Sequence, residues 1–123
     1  MIGEIYSFIT PYFNSTLKKN SFKSRPVLII GKANIGDYNV LPISRVTHKV
    51  NLDANFDIPI DPNIYPKLGL KSFSYVRTHK QMFAHQGELI NHIGNMKVDY
   101  EDLYLAILIK LEEYNKTLIS NAL

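Results

Sequence analysis

The run from Pro26 to Gly31, with the sequence PVLIIG, constrains the fold of this chain more than any other segment. Its four central residues are all apolar, and proline and glycine bound them on either side. A short, continuous apolar run of this kind indicates a β-strand that is buried on both faces. Such a strand needs paired neighbours and apolar cover above and below, so we expect the chain to fold around a sheet.

A second strand is predicted to follow the first after a short turn. The turn Asn34–Asp37 separates the apolar run from Tyr38–Ile43, and two strands joined by a short Asn/Gly/Asp turn form a hairpin. Pro42 indicates that this second strand bends or lies at an edge of the sheet. Further strands are predicted at Gly3–Ile9, Asp57–Ile60, Phe73–Gln81 and Glu88–Ile90.

Two segments are predicted to be loops. Asn14–Ser24 is rich in asparagine, serine and lysine and has no sustained period, which is typical of a long mobile loop. Asn51–Leu70 contains three prolines and is expected to be mostly loop as well. The first of these is longer than a hairpin needs, and extra loop length in a small domain often serves a function.

The C-terminal segment has the composition of a long helix. Asp99 is predicted to be its N-cap, and the helix itself is expected from Tyr100 to about Ile119. Its apolar residues cover more than one stripe of the helix surface. The apolar residues outside the first stripe are therefore predicted to form either additional core or half of a dimer interface. We therefore predict one α+β domain, residues 1–123, in which a mainly antiparallel, barrel-like sheet is closed by a terminal helix.

Length and composition narrow the class of protein. The chain has 123 residues and 46% hydrophobic content, enough for one cored domain. It contains no cysteine, which excludes disulfides and thiolate metal sites and suits a reducing cytosol. Its start lacks the pattern of a secretory signal, and its longest apolar run, Leu103–Ile109, is far shorter than the roughly 20 residues of a membrane span. We expect a cytoplasmic protein without a membrane segment.

Basic residues are distributed unevenly along the chain. Between Lys18 and Lys49 there are seven basic residues and one acidic residue, Asp37, whereas acidic residues outnumber basic ones from Val98 onward. A basic middle segment predicts a surface that faces a polyanion. The alternative is a solvated, lysine-rich surface without a partner.

The remaining chemistry rests on arginine, histidine and hydroxyl side chains. The four histidines are spaced too irregularly for a zinc motif, so no metal or other cofactor is predicted. Arg77 and His79 lie two residues apart in a predicted strand, so their side chains are expected on one face. Such residues are able to cleave RNA without a metal, because the substrate's 2′-hydroxyl supplies the nucleophile. Most Arg-x-His pairs on strands nevertheless have no catalytic role.

Four motifs in order give the chain a resemblance to a known family. They are GEIY at residues 3–6, RPVLIIG at 25–31, VLPIS at 40–44 and VRTHKQ at 76–81. Together with the C-terminal helix, they resemble the MazF/PemK family of toxin endoribonucleases over nearly the whole length. The resemblance implies an SH3-like barrel that forms a homodimer, cuts single-stranded RNA within a short sequence and is silenced by an antitoxin protein.

The resemblance also assigns candidate residues. The family's signature arginine falls on Arg25, which is expected to bind the phosphate, and its hydroxyl falls on Ser44 in place of the usual threonine. The later arginine falls on Arg77, a candidate acid or stabiliser of the phosphorane. His79 occupies a position where some relatives have aspartate, and it is a candidate base or acid. Basic and polar residues expected to contact RNA are Lys18, Lys19, Lys23, Arg45, His48, Lys49, Lys80 and Gln81.

Two other interpretations remain open from the sequence. One is a non-enzymatic toxin of the same fold, like the CcdB group that poisons gyrase, whose activity is credited to the end of the terminal helix, including a tryptophan. This chain has no tryptophan, which argues against that interpretation. The other is a barrel that binds nucleic acid or protein without activity, which would tolerate substitution of Arg77 and His79.

Overall fold

The computed structural model describes residues 1–123, except for the side chains of residues 11 and 12. Seven strands pair in antiparallel fashion into one sheet, and two helices follow at the C-terminal end. This architecture confirms the predicted α+β class. The strands are β1 (Glu4–Asn14), β2 (Lys19–Lys32), β3 (Asp37–Ser44), β4 (Asp57–Ile60), β5 (Ser74–Arg77), β6 (Met82–His85) and β7 (Leu89–Asn95), the α-helices are α1 (Met96–Asp99) and α2 (Glu101–Ala122), and the 3₁₀ helices are Lys49–Asn51, Pro66–Leu68 and Gln86–Glu88.

The apolar run of β2 lies between two clusters of core residues, as predicted for a strand buried on both faces. Leu28 packs in the larger core together with Ile107 of α2. Val27 and Ile29 point the other way, into a smaller core that includes Phe8 and Val40. Side chains alternate along a strand, so one run of apolar residues supplies both cores.

The first strand is longer than the predicted Gly3–Ile9, and the expected mobile loop Asn14–Ser24 is wrong. The two strands pair in unbroken register out to Asn14 and Lys19, which leaves a turn of residues 15–18 only. The Asn14 side chain accepts hydrogen bonds from the Thr16 and Leu17 amides, both at 3.0 Å, and so closes this turn. Packing against the core requires apolar and polar residues to alternate along a strand. The outer part of the hairpin extends beyond the core, so its sequence lacks this alternation.

The predicted strand Phe73–Gln81 is also wrong in its extent, because it is split into β5 and β6. The strand order is β4-β5-β3-β2-β1-β7, and β5 and β6 pair with different parts of β3 along its remaining edge. β5 pairs with residues 43–44 and β6 with residues 37–40. Pro42, which has no N–H to donate to a ladder, lies in the unpaired gap between them. The connecting turn therefore contains His79.

The C-terminal helix begins later than predicted, and Asp99 is not its N-cap. The short helix α1 starts after Asn95, whose side chain accepts a hydrogen bond from the Val98 amide at 3.1 Å. Tyr100 then interrupts the helical backbone, and α2 runs from the next residue to Ala122. The apolar residues beyond its buried stripe do not extend the core, since they lie on the outer surface. They are Leu105, Ile109, Leu118 and Ile119.

No helix among the residues that the structure describes is long and apolar enough to cross a membrane.

Candidate functional site

An open groove of about 770 Å³ lies where the middle of β2 and the end of β3 meet the loop before β5. The printed pairs of β2 and β3 extend to Val27 and Pro42, and Arg25 and Ser44 lie two residues beyond that pair on their strands, where both line the groove. Ser44 in turn pairs with Tyr75 of β5 on its other side. The main polar lining residues are Lys23, Ser24, Arg25, Ser44, Arg45, Thr47, Lys71, Ser72 and Ser74.

The groove brings together four of the residues predicted from the sequence. Arg25 and Ser44 were candidate catalytic residues, and Lys23 and Arg45 were candidate RNA contacts. Arg25 and Arg45 are exposed, whereas Ser44 is half-buried at the end of β3. Two strands adjacent in the sheet therefore deliver both the guanidinium and the hydroxyl to one surface.

Lys71 and Ser72 belong to the groove as well, and sequence reasoning missed them. They follow Gly69, whose φ of +73° is a left-handed conformation that suits glycine. A Cβ atom at Gly69 would lie 2.7 Å from the carbonyl oxygen of Ile93, so the absence of a side chain lets this loop pack against β7. The prolines nearby predicted a loop correctly, but no local pattern indicates where a loop packs.

All the charged side chains that line the groove are positive. Its lining contains four cationic side chains, Lys23, Arg25, Arg45 and Lys71, and none of the lining residues is acidic. Several serine and threonine hydroxyls lie among these cations. Cations concentrated in a concave surface attract polyanions, and guanidinium groups bind two phosphate oxygens at once. The groove is thus suited to a phosphate backbone.

Arg77 lies in a second cluster, around the buried carboxylate of Asp57. Its Nε donates a hydrogen bond to Asp57 Oδ1 at 3.0 Å, and its Nη2 donates to the backbone oxygen of Asn51 at 2.8 Å. Asp57 of β4 and Arg77 of β5 are register partners. Asp57 also accepts a hydrogen bond from the Asp53 amide at 2.8 Å. Arg77 is therefore held in place by β4 and the loop before it.

His79 contacts the same carboxylate from the turn after β5. Its Nδ1 lies 3.8 Å from Asp57 Oδ1, and the imidazole packs beside Phe56 and Tyr114 of α2, with ring centroids 6.4 and 6.2 Å away and the Tyr114 contact edge-on. Nδ1 is the one buried side-chain polar atom without a hydrogen-bond partner among the described side chains. Strand alternation did not bring Arg77 and His79 together, because β5 ends at Arg77. Asp57 does so, and its role was not predicted.

The other predicted RNA contacts lie outside the groove lining, and all of them are exposed. Lys18 and Lys19 lie at the tip of the β1–β2 hairpin. His48 and Lys49 lie at the start of the 3₁₀ helix after β3, and Lys80 and Gln81 lie in the turn between β5 and β6. Neither Arg77 nor His79 lines the groove either. The six exposed residues are Lys18, Lys19, His48, Lys49, Lys80 and Gln81.

The turn that leads into β4 is held by Asp53. Its Oδ1 accepts hydrogen bonds from the Phe56 amide at 3.0 Å and the Asn55 amide at 2.9 Å. These bonds lower the pKa of the Asp53 carboxyl, and the nearby charges of His79 and Arg77 act in the same direction. Asp53 therefore stabilises the turn in its charged form.

This lowered pKa predicts a pH-dependent contribution to folding. Because the folded pKa lies below the unfolded value, the stabilisation is present above about pH 4 and is lost as the pH falls through the folded pKa. We expect Asp53→Asn to reduce the free energy of unfolding by about 1 kcal/mol near neutral pH. Urea titrations of both proteins should show this difference shrinking as the solution is acidified, and a difference that stays constant to the lowest pH would contradict the assignment.

The described residues contain no group of three or more histidine, cysteine, aspartate or glutamate side chains placed to hold a metal ion.

Comparison with known proteins shows a likeness to solved structures. Neither protein-family models nor curated proteins match the chain. Among solved structures, it is similar to the Mycobacterium tuberculosis toxin MazF-mt6, with a TM-score of 0.61 and 18% sequence identity over 90% of this chain and 96% of that one. At this identity the likeness concerns the fold, and it covers both the sheet and the terminal helix. The chain therefore has the MazF-like toxin fold, a curled antiparallel sheet with a long C-terminal helix, as the four sequence motifs predicted.

Proposed function

We propose that this protein is a toxin endoribonuclease that binds single-stranded RNA in the groove and cleaves it without a metal. The observation that carries the proposal is the meeting of Arg25 and Ser44 in a groove lined by cations and free of acidic lining residues, within a MazF-like fold. The cut would follow attack of the RNA's own 2′-hydroxyl on the adjacent phosphorus. The products would then be a 2′,3′-cyclic phosphate and a free 5′-hydroxyl.

The protein needs to supply only a few groups for this reaction. The nucleophile is already next to the phosphorus, so the enzyme needs to orient the chain and to stabilise the extra negative charge of the five-coordinate state. In the proposal, the fork of Arg25 binds two non-bridging phosphate oxygens and the Ser44 hydroxyl donates a hydrogen bond to the same phosphate. Lys23, Arg45 and Lys71 would bind the phosphates on either side.

Proton transfer and further charge stabilisation are proposed for His79 and Arg77. An imidazole is a common general acid or base in catalysis. Tyr75, the register partner of Ser44, lies two residues before Arg77 on β5, a distance of about 7 Å along a strand. In the proposal, the scissile phosphate therefore lies between Ser44 and the Asp57 cluster, so that Arg25 and His79 act on the same phosphorus.

The partners in this proposal are single-stranded RNA, an antitoxin protein and a second copy of the chain, all in the cytoplasm. The exposed apolar residues of α2, such as Leu105 and Ile109, support a homodimer, because isolated domains rarely expose so many on one helix. An acidic or amphipathic antitoxin segment would lie across the cationic groove and mimic the charge of the RNA.

The proposal predicts RNA cleavage that EDTA does not prevent. Purified protein incubated with mixed-sequence RNA should yield fragments ending in 2′,3′-cyclic phosphate, detected by mass spectrometry of the fragment ends. DNA of the same sequence should remain intact, because it lacks the 2′-hydroxyl that acts as nucleophile. RNA left uncut by folded protein, or fragments without a cyclic phosphate, would count against the proposed reaction.

A further inference from the structure

Two phenylalanines stand exposed on the outer part of the β1–β2 hairpin. Phe13 is 63% exposed and Phe22 is 72% exposed. The hairpin pairs Phe13 with Asn20 and residue 11 with Phe22, so both rings lie on the same face as diagonal neighbours. Diagonal positions are roughly 7 to 8 Å apart, which lets two aromatic rings form one continuous surface.

This aromatic face continues into the groove. Because side chains alternate along β2, Phe22 shares its face with Ser24 and Pro26, and both of those residues line the groove. The register between β1 and β2 is unbroken along this stretch, so no bulge turns the face away. A chain that leaves the groove along the hairpin would therefore meet Phe22 first and Phe13 next.

The charge around the two rings is complementary to a polyanion. From residue 5 to residue 36 the sequence contains no aspartate or glutamate, and it contains five cationic residues. Lys18 and Lys19 lie at the tip of the hairpin, and Lys23, which directly follows Phe22 in β2, lines the groove itself. Exposed aromatic rings with cations around them are the combination that binds unpaired bases and their phosphates.

We propose that Phe13 and Phe22 form a stacking platform for bases of single-stranded RNA just outside the groove. The inference rests on the proposed function, since it concerns RNA that the groove holds. Any base can stack on an aromatic ring, so the platform increases the affinity for RNA on one side of the cut without recognising its sequence. The absence of acidic residues from residue 5 to residue 36, together with the cations there, favours RNA over an acidic or purely apolar protein segment on this face.

The first test measures binding without cleavage. Fluorescence anisotropy with a labelled, mixed-sequence 2′-O-methyl RNA, which cannot be cut, should show Phe22→Leu binding about tenfold more weakly than the parent protein. Phe13→Leu should also weaken binding, and the double variant should bind most weakly. Phe83→Leu is the matched control, because Phe83 is 67% exposed on β6, outside the hairpin, and its variant should bind normally.

A second test reports on stacking directly. The chain has no tryptophan, so Phe22→Trp introduces a single indole whose fluorescence stacked bases should quench. The 2′-O-methyl RNA should quench it, whereas an oligomer of abasic sugar phosphates should not. Circular dichroism of each variant would establish that the hairpin remains folded.

The outcomes separate this inference from the proposed cleavage. Parent-like RNA binding by the folded double variant would overturn the platform while leaving cleavage untouched. RNA binding that depends on Phe22 in a protein that does not cut RNA would support the platform and contradict the proposed reaction. If an acidic amphipathic peptide quenches the Phe22→Trp indole and RNA does not, the face binds a protein and the inference is wrong.

Discussion

Replacing Arg25 with alanine should lower the rate of RNA cleavage by about 100-fold or more, the effect of removing one transition-state charge stabiliser. Arg25 is the groove residue best suited to the phosphorus, since it shares the groove lining with Ser44 and its guanidinium can bind two phosphate oxygens. Arg25→Lys should retain part of the activity, because an ammonium supplies the charge but not the two-pronged fork. Single-turnover cleavage of a labelled RNA, at saturating protein, would measure the chemical step.

The matched control for this substitution is Lys32→Ala. Lys32 ends the same strand, is exposed and does not line the groove, so its removal subtracts the same charge from a different place. We expect cleavage within about twofold of the parent protein, and both variants should keep their stability within about 0.5 kcal/mol, as surface substitutions usually do. Equal losses in both variants would mean that general charge, not the position of Arg25, governs activity. Full activity of Arg25→Ala would remove Arg25 from the proposed mechanism.

Replacing Asp57 with alanine should lower the free energy of unfolding by about 3 kcal/mol, because it leaves a largely buried guanidinium without its counter-charge. The Asp57 side chain is fully buried, and that of Arg77 is only 20% exposed. The substitution also removes the acceptor of the Asp53 amide, so the turn before β4 loses a hydrogen bond. Equilibrium urea unfolding, followed by circular dichroism, would give the difference in free energy.

A double-mutant cycle separates the ion pair from the general cost of an alanine in β4. Combining Asp57→Ala with Arg77→Ala should cost clearly less than the sum of the single substitutions, because the second change removes the unpaired charge. The exposed pair Glu112 and Lys116, 3.1 Å apart on α2, provides the control cycle and should couple by at most about 0.5 kcal/mol. Additive effects for Asp57 and Arg77 would show that the buried pair contributes nothing specific.

Local patterns predicted the elements of this fold better than their ends. Val27 to Ile29 form a doubly buried strand as the apolar run indicated, and Asp57–Ile60 is an edge strand as proposed. The error in the β1–β2 hairpin arose because an apolar pattern reflects burial and not strand pairing. Residues 19–24 pair beyond the core, so their polar sequence resembled a loop. Asn95 caps a short helix that ends at Asp99, and Asp99 resembled a cap only because of its side chain.

The sequence alone specified the buried strand of β2, the turn after it and the long C-terminal helix. Each depends on residues close together in the chain, whose backbone preferences and apolar spacing act locally. The assembly of the sites depends on distant residues: Lys71 joins Arg25 in the groove, and Asp57 binds Arg77 from twenty positions away. No local preference encodes which loop packs beside which strand. The packing of loops beside strands is decided when all the apolar side chains are buried together, so only the tertiary structure determines it.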